Sequence, residues 1–149
     1  RGWPLVHWQE LIELSAERAG LAILINGTSE EQAVFEELLE SPDVFSLFGS
    51  SLETLAAALA GARCLVSVDT GAMHLAAALG TPVVALFGPG NPSLTGPYSR
   101  KGLHQVLASG IDCQPCVNTA RQKRCAFNQC MAELAPVTVF ESIQNTLRN

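Results

Sequence analysis

Residues 67–99 read SVDTGAMHLAAALGTPVVALFGPGNPSLTGPYS. An apolar run enters the turn Asp69-Thr70-Gly71. A stretch of small residues carrying His74 then runs to Gly80, a second apolar run fills 82–88, and a loop dense in Gly and Pro follows. Strand, tight turn, helix and strand in this order make a βαβ unit, whose parallel strands are joined by a right-handed crossover. The alanines at 72, 76, 77 and 78 suit a helix that lies close on a sheet.

The pattern repeats outward from this unit. LVHWQELIELSAERA, residues 5–19, predicts a helix with Leu5, Trp8, Leu11, Ile12 and Ser15 inward, opened by Pro4 and closed by Gly20. LAILI, 21–25, predicts a parallel strand covered on both faces. Residues 29–40 predict an acidic amphipathic helix capped by Ser29, with Ala33, Val34, Leu38 and Leu39 inward. VFSLF, 44–48, is a second strand, and a helix capped by Ser51 follows, with Thr54 where a capping box would have Glu. CLVSV, 64–68, and LHQVLAS, 103–109, are further strands. The last helix is 136–148, with Val139, Phe140, Ile143 and Leu147 inward. Strands alternating with helices predict one α/β domain over 1–149, a Rossmann-like doubly wound parallel sheet. The polar, Cys-rich segment 109–131 breaks the composition and reads as a flap.

The 149 residues are 48% hydrophobic and 15% charged, with a formal net charge of −5. A chain of this length builds a core without staples. Its acidic balance argues against nucleic acid as a partner, and no run of 18 apolar residues offers a membrane span. Five cysteines, an odd number, argue against a secreted disulfide framework and favour the cytoplasm. Cys113, Cys116, Cys125 and Cys130 have spacing that zinc would accept, yet a disulfide or free thiols fit them as well. Cys64, at a strand start, reads as a buried hydrophobe.

The chemistry gathers where β-strands end. The first-turn N–H groups of the helix after Asp69, around Thr70 to Ala72, form an anion site, and Gly71 permits close approach or a positive φ. Asp69 suits sugar hydroxyls rather than a phosphate. Asp69-Thr70 also reads as an N-cap, His74 as a structural histidine and 88–97 as a mere connection. Neither G-x-G-x-x-G nor G-x-x-x-x-G-K-[ST] occurs.

Taken whole, VSVDTGAMHLAAALGTPVVALFGPGNPSLTGPYS resembles the signature of glycosyltransferase family nine, the ADP-heptose–lipopolysaccharide heptosyltransferases. RGWP resembles the family's K-x-W-P, with Arg1 in place of Lys. ILINGTSEEQ, LFGSSLETLAAALAGARCLVSVD and the tail DCQPCVNTARQKRCAFNQCMAELAPVTVFESI resemble further family segments. The resemblance implies the C-terminal, donor-binding half of a GT-B enzyme that transfers heptose from ADP-heptose to the lipopolysaccharide inner core. Transfer would be inverting and would need neither cofactor nor metal. The acceptor and its general base would belong to an N-terminal domain outside this chain. In the residues that match, Thr70 and Gly71 would hold the diphosphate, and His74 would either contact phosphate or be structural. Asp69 would meet the sugar, and Arg1 would supply a cation to the diphosphate. Ser50, Ser51 and Leu52 would lie along adenine, and Gly27 with Glu30 or Glu31 would meet ribose. Membrane contact would be peripheral at most. Two other readings are a non-catalytic nucleotide-sugar-binding module and an epimerase-type GT-B enzyme that uses a UDP-sugar.

Overall fold

A computed structural model describes residues 2–98 and 103–148. In chain order the elements are α1 (Leu5–Ala19), β1 (Ile23–Ile25), a 3₁₀ segment (Gln32–Glu40), β2 (Val44–Ser46), α2 (Leu52–Gly61), β3 (Leu65–Val68), α3 (Gly71–Leu79), β4 (Val83–Phe87), α4 (Pro92–Thr95), β5 (His104–Ala108), α5 (Ala120–Arg124), α6 (Gln129–Ala132) and α7 (Pro136–Arg148). Every strand pairing is parallel, as expected of the α/β class. The expected single sheet is instead divided into a β1–β2 pair and a β3–β4–β5 sheet, with no ladder between them among the described residues.

β4 is the centre. All five of its residues are 0% exposed, and its side chains alternate between two apolar layers. Val84 and Leu86 pack with Leu11 of α1 and with Val139, Phe140 and Ile143 of α7. Val83, Ala85 and Phe87 pack on the other side with Leu59 of α2 and with Met73 and Ala76 of α3. The small residues of α3 thus do what the sequence suggested, bringing that helix close to the sheet. Adjacent residues of α1 serve different clusters, since Leu11 joins the β4 core while Ile12 packs with Leu38 and Val44 around the β1–β2 pair.

Helix ends follow the residues that encode them. Gly20 and Gly80 take the left-handed conformation, with φ of 57° and 82°, and close α1 and α3. The Ser51 hydroxyl accepts from the Thr54 N–H at 3.2 Å and caps α2. The Thr81 hydroxyl donates to the Leu59 carbonyl (2.7 Å), tying the entry of β4 to the end of α2.

The outer half corrects several expectations. Leu24 and Phe45, paired across β1 and β2, are 51% and 52% exposed, so this pair is covered on one face rather than two. Residues 32–40 coil as a 3₁₀ segment, and no side chain caps it, so Ser29 is not an N-cap. Threefold winding turns Phe35 and Leu38 inward and leaves Ala33 and Val34 exposed. Leu5 is exposed as well. The residue that anchors this end is Trp3. It is buried, donates its indole N–H to the Leu134 carbonyl (2.9 Å) and packs edge-on against Trp8 at 4.9 Å.

Candidate functional site

Three turns at strand carboxyl ends hold the residues singled out in the sequence. After β3, Val68 leads to Asp69 and Thr70, and α3 begins at Gly71. Among the described residues no side chain caps the first turn of α3: the Thr70 hydroxyl is taken up by Ser67 Oγ (3.1 Å), and the Asp69 carboxylate is turned elsewhere. The N–H groups at this helix start therefore keep the positive end of the dipole free of an internal acceptor. A Cβ added at Gly71 would meet nothing within 4 Å, and its φ is not positive. Of the two reasons for a glycine here, close approach by a ligand remains and backbone conformation does not. His74 lies exposed on α3 and makes no hydrogen bond among the described residues.

Asp69 is held from the next loop. Thr95 Oγ1 donates to Asp69 Oδ2 (3.0 Å), and a Cβ at Gly90 would lie 3.0 Å from that same oxygen. Thr95 ends α4, which Asn91 caps by accepting from the Ser93 N–H at 3.0 Å. The loop after β4 is thus more than a connection, because it folds back and orients the carboxylate. Together Val68, Asp69, Leu86, Gly88, Pro89, Gly90 and Val117 line a cavity of about 30 Å³, room for roughly one water.

The turns after β1 and β2 form a second cluster. The Gly49 N–H donates to the Gly27 carbonyl (3.2 Å), and a Cβ at Gly27 would run into the Phe48 ring at 2.6 Å. Gly49 has a φ of 65° and faces Ser29 Oγ. The open choice between Glu30 and Glu31 acquires a physical distinction. Glu31 Oε2 accepts from the Thr28 N–H at 2.8 Å and is engaged inside the turn. The exposed Glu30 carboxyl is held below the usual range, first by its own backbone N–H and then by Thr28, which keeps it ionised. Ser51 spends its hydroxyl on the α2 cap, whereas Leu52 is 67% exposed at the start of α2. Ser50, just before them, is half-buried. Arg1 lies outside the described residues.

The reading of the sequence missed Gln114. Its Nε2 donates to the carbonyls of Phe87 (3.0 Å) and Gly88 (2.8 Å), and its Oε1 accepts from Ser109 Oγ (3.0 Å) and the Gly110 N–H (2.9 Å). The N–H groups of Cys116 and Val117 add bonds of 3.0 and 2.8 Å to the Pro89 carbonyl. The flap thereby clamps the 88–90 loop that forms the cavity wall. Its sequence signal is weak, one of five side-chain amides inside the Cys-rich segment.

All five cysteines are free. Cys64 is half-buried, and burial pushes its thiol up to about 11, in keeping with a hydrophobic role. Among the described residues no group of three or more His, Cys, Asp or Glu is placed to hold a metal ion. No helix among them is long and apolar enough to cross a membrane.

Comparison with known proteins gives these features a context. Residues 1–127 match the model of glycosyltransferase family 9 (heptosyltransferase). Lipopolysaccharide heptosyltransferase 1 of Pseudomonas aeruginosa is 41% identical over 128 residues, covering 84% of this chain and 34% of that protein. The solved structure of E. coli heptosyltransferase WaaC with ADP superposes with a TM-score of 0.73 at 33% identity, covering 97% of this chain and 39% of that one. WaaC with ADP-2-deoxy-2-fluoro heptose gives 0.71 at 32% identity, covering 96% and 38%. The chain thus spans about a third of the length of the curated relative it matches.

Proposed function

Since the chain belongs to glycosyltransferase family 9, the heptosyltransferases, we propose that it is the donor-binding half of such an enzyme. In this reading it holds ADP-heptose for metal-independent, inverting transfer to a lipopolysaccharide inner-core sugar. The observation that carries the proposal is the uncapped start of α3 beside an oriented Asp69 at the carboxyl end of β3. In open α/β sheets ligands sit outside the carboxyl ends of the strands. The structures of WaaC with ADP and with a fluorinated ADP-heptose favour ADP over a UDP-sugar as ligand.

The roles follow from geometry and charge. The N–H groups at Thr70–Ala72 receive the diphosphate, and Gly71 lets it come close. The same dipole offsets the charge that builds on the leaving ADP as the glycosidic bond breaks. Asp69, one oxygen already occupied by Thr95, turns the other toward sugar hydroxyls. Glu30, exposed and kept ionised by its own backbone N–H and Thr28, accepts from ribose hydroxyls above Gly27. Leu52 gives adenine an apolar surface next to Ser50, and His74 stands within the same helix for a phosphate. Arg1 precedes this frame in sequence as the proposed cation.

Residues 1–149 form one donor domain in this account, working in the cytoplasm with no more than peripheral membrane contact. The acceptor and the base that activates it belong to an N-terminal domain. The chain alone therefore binds donor and transfers no sugar. Calorimetric titration with ADP, UDP and GDP tests the reading: ADP is expected to bind tightest. Equal affinities, tighter UDP binding, or sugar transfer by the isolated chain would overturn it.

A further inference from the structure

The flap that clamps the 88–90 loop carries two thiols on either side of its key residue. Gln114, whose amide holds the Phe87 and Gly88 carbonyls, is bracketed by Cys113 and Cys116 in the order Cys-Gln-Pro-Cys. The Cys116 N–H itself holds the Pro89 carbonyl, so both anchors of the clamp fall within one four-residue ring closed by these two side chains. The two thiols sit three residues apart on the short segment that makes the clamp, and that of Cys116 is pushed up first by burial, then by Cys113 and Cys125. Cys130 lies beside the same loop, its sulfur 3.4 Å from the point a Cβ on Gly88 would occupy. The two partners differ in access, Cys113 being half-buried and Cys116 buried. The mechanism proposed above uses neither.

We propose that Cys113 and Cys116 are a redox-responsive dithiol whose closure to a disulfide tightens the clamp on the Gly88–Gly90 loop. The oxidant is a low-molecular-weight disulfide. Cys113, the more open sulfur, attacks it as the thiolate, forming a mixed disulfide and releasing the first small thiolate. Cys116 then attacks the Cys113 sulfur and expels the second, and the protons of the two protein thiols go to the departing sulfurs. Two protein thiols are oxidised by two electrons, and one small disulfide is reduced to two small thiols. Closing the ring removes conformations in which residues 113–117 lift away from Phe87–Pro89, so local opening of that loop becomes rarer.

The test treats the chain with oxidised glutathione in a C125S background, which removes the exposed thiol that would otherwise form its own adduct. The expected product has lost two hydrogens by intact mass and contains a Cys113–Cys116 linked peptide, and dithiothreitol reverses both changes. Amide exchange at Gly88, Gly90 and Val117 is expected to slow several-fold on oxidation. That slowing should vanish in C113S, which removes a half-buried thiol and spares the buried Cys116. Both thiols still open to alkylation, a stable glutathione adduct on Cys113, a link from either to Cys130, or unchanged exchange at Gly88 and Gly90 would each overturn the proposal. None of these readouts depends on nucleotide binding.

Discussion

β4 and β1 are both short runs of apolar residues, and in the sequence they look alike. VVALF is 0% exposed throughout, enclosed by α2 and α3 on one side and α1 and α7 on the other. In ILI the middle residue, Leu24, is 51% exposed, as is its partner Phe45 at 52%. An apolar run records the capacity to be buried. Which runs are buried is decided by elements far away in the chain: α7, which covers β4, begins at Pro136. The proposed site residues divide along the same line, Asp69, Thr70 and Gly71 beside the enclosed sheet and Gly27 and Glu30 on the half-covered pair.

The sharpest way to break this comparison is to truncate one aromatic in each half. Phe87→Ala should cost about 3–5 kcal/mol. Phe45→Ala should cost under about 1 kcal/mol, since little of its surface leaves water on folding. Urea denaturation of both variants measures the difference, and equal losses would show that the two halves are equally packed. Next in size is Gln114→Leu. It keeps the volume but strands the Phe87 and Gly88 carbonyls and the Gly110 N–H, at about 2 kcal/mol. Faster amide exchange confined to 88–90 and 109–117 would tie that loss to the clamp. Thr95→Val removes the hydroxyl that orients Asp69 and should lower stability by about 1 kcal/mol or less in denaturant titrations.

The smallest effect concerns pH. His104, at the start of β5, has both ring nitrogens buried without a hydrogen-bond partner among the described residues, and burial lowers its pKa from the ordinary 6.5. The unfolded chain then binds the proton more readily than the folded one. Its contribution is therefore fully present above 6.5 and is lost as pH falls from there through the lowered folded value. His104→Gln should flatten the melting-temperature profile across that window, most visibly just below pH 6.5.

Much of this was legible from the residues. The helices at 5–19, 71–79 and 136–148 and all five strands stand where periodicity and glycine punctuation put them. So does the placing of Asp69, Thr70 and Gly71 at a strand end. What the sequence hid has a common cause, which is dependence on distant partners. Trp3 is buried because its indole finds the carbonyl of Leu134, 131 residues away. Gln114 matters because its amide reaches two carbonyls at and just past the end of β4, and one amide among several in a polar segment carries no sign of that. The 3₁₀ winding of 32–40 turns Ala33 and Val34 outward, where a helix of 3.6 residues per turn would have buried them. The same rule extends to the site, where Glu31 proves to be engaged inside its own turn while Leu52 stays exposed.

The central claim is that Gly71 is small for the ligand's sake and not for the fold's. A Cβ there meets nothing within 4 Å and the backbone conformation is one any residue adopts, so Gly71→Ala should leave the melting temperature unchanged or slightly raised. The added methyl group would stand between the diphosphate and the first-turn N–H groups of α3 and should weaken ADP at least tenfold, about 1.4 kcal/mol. Calorimetric titration of ADP into the variant and the parent chain tests this directly. A folded Gly71→Ala chain with clearly weakened ADP binding is the predicted result, and one that binds ADP as tightly as the parent would contradict the account.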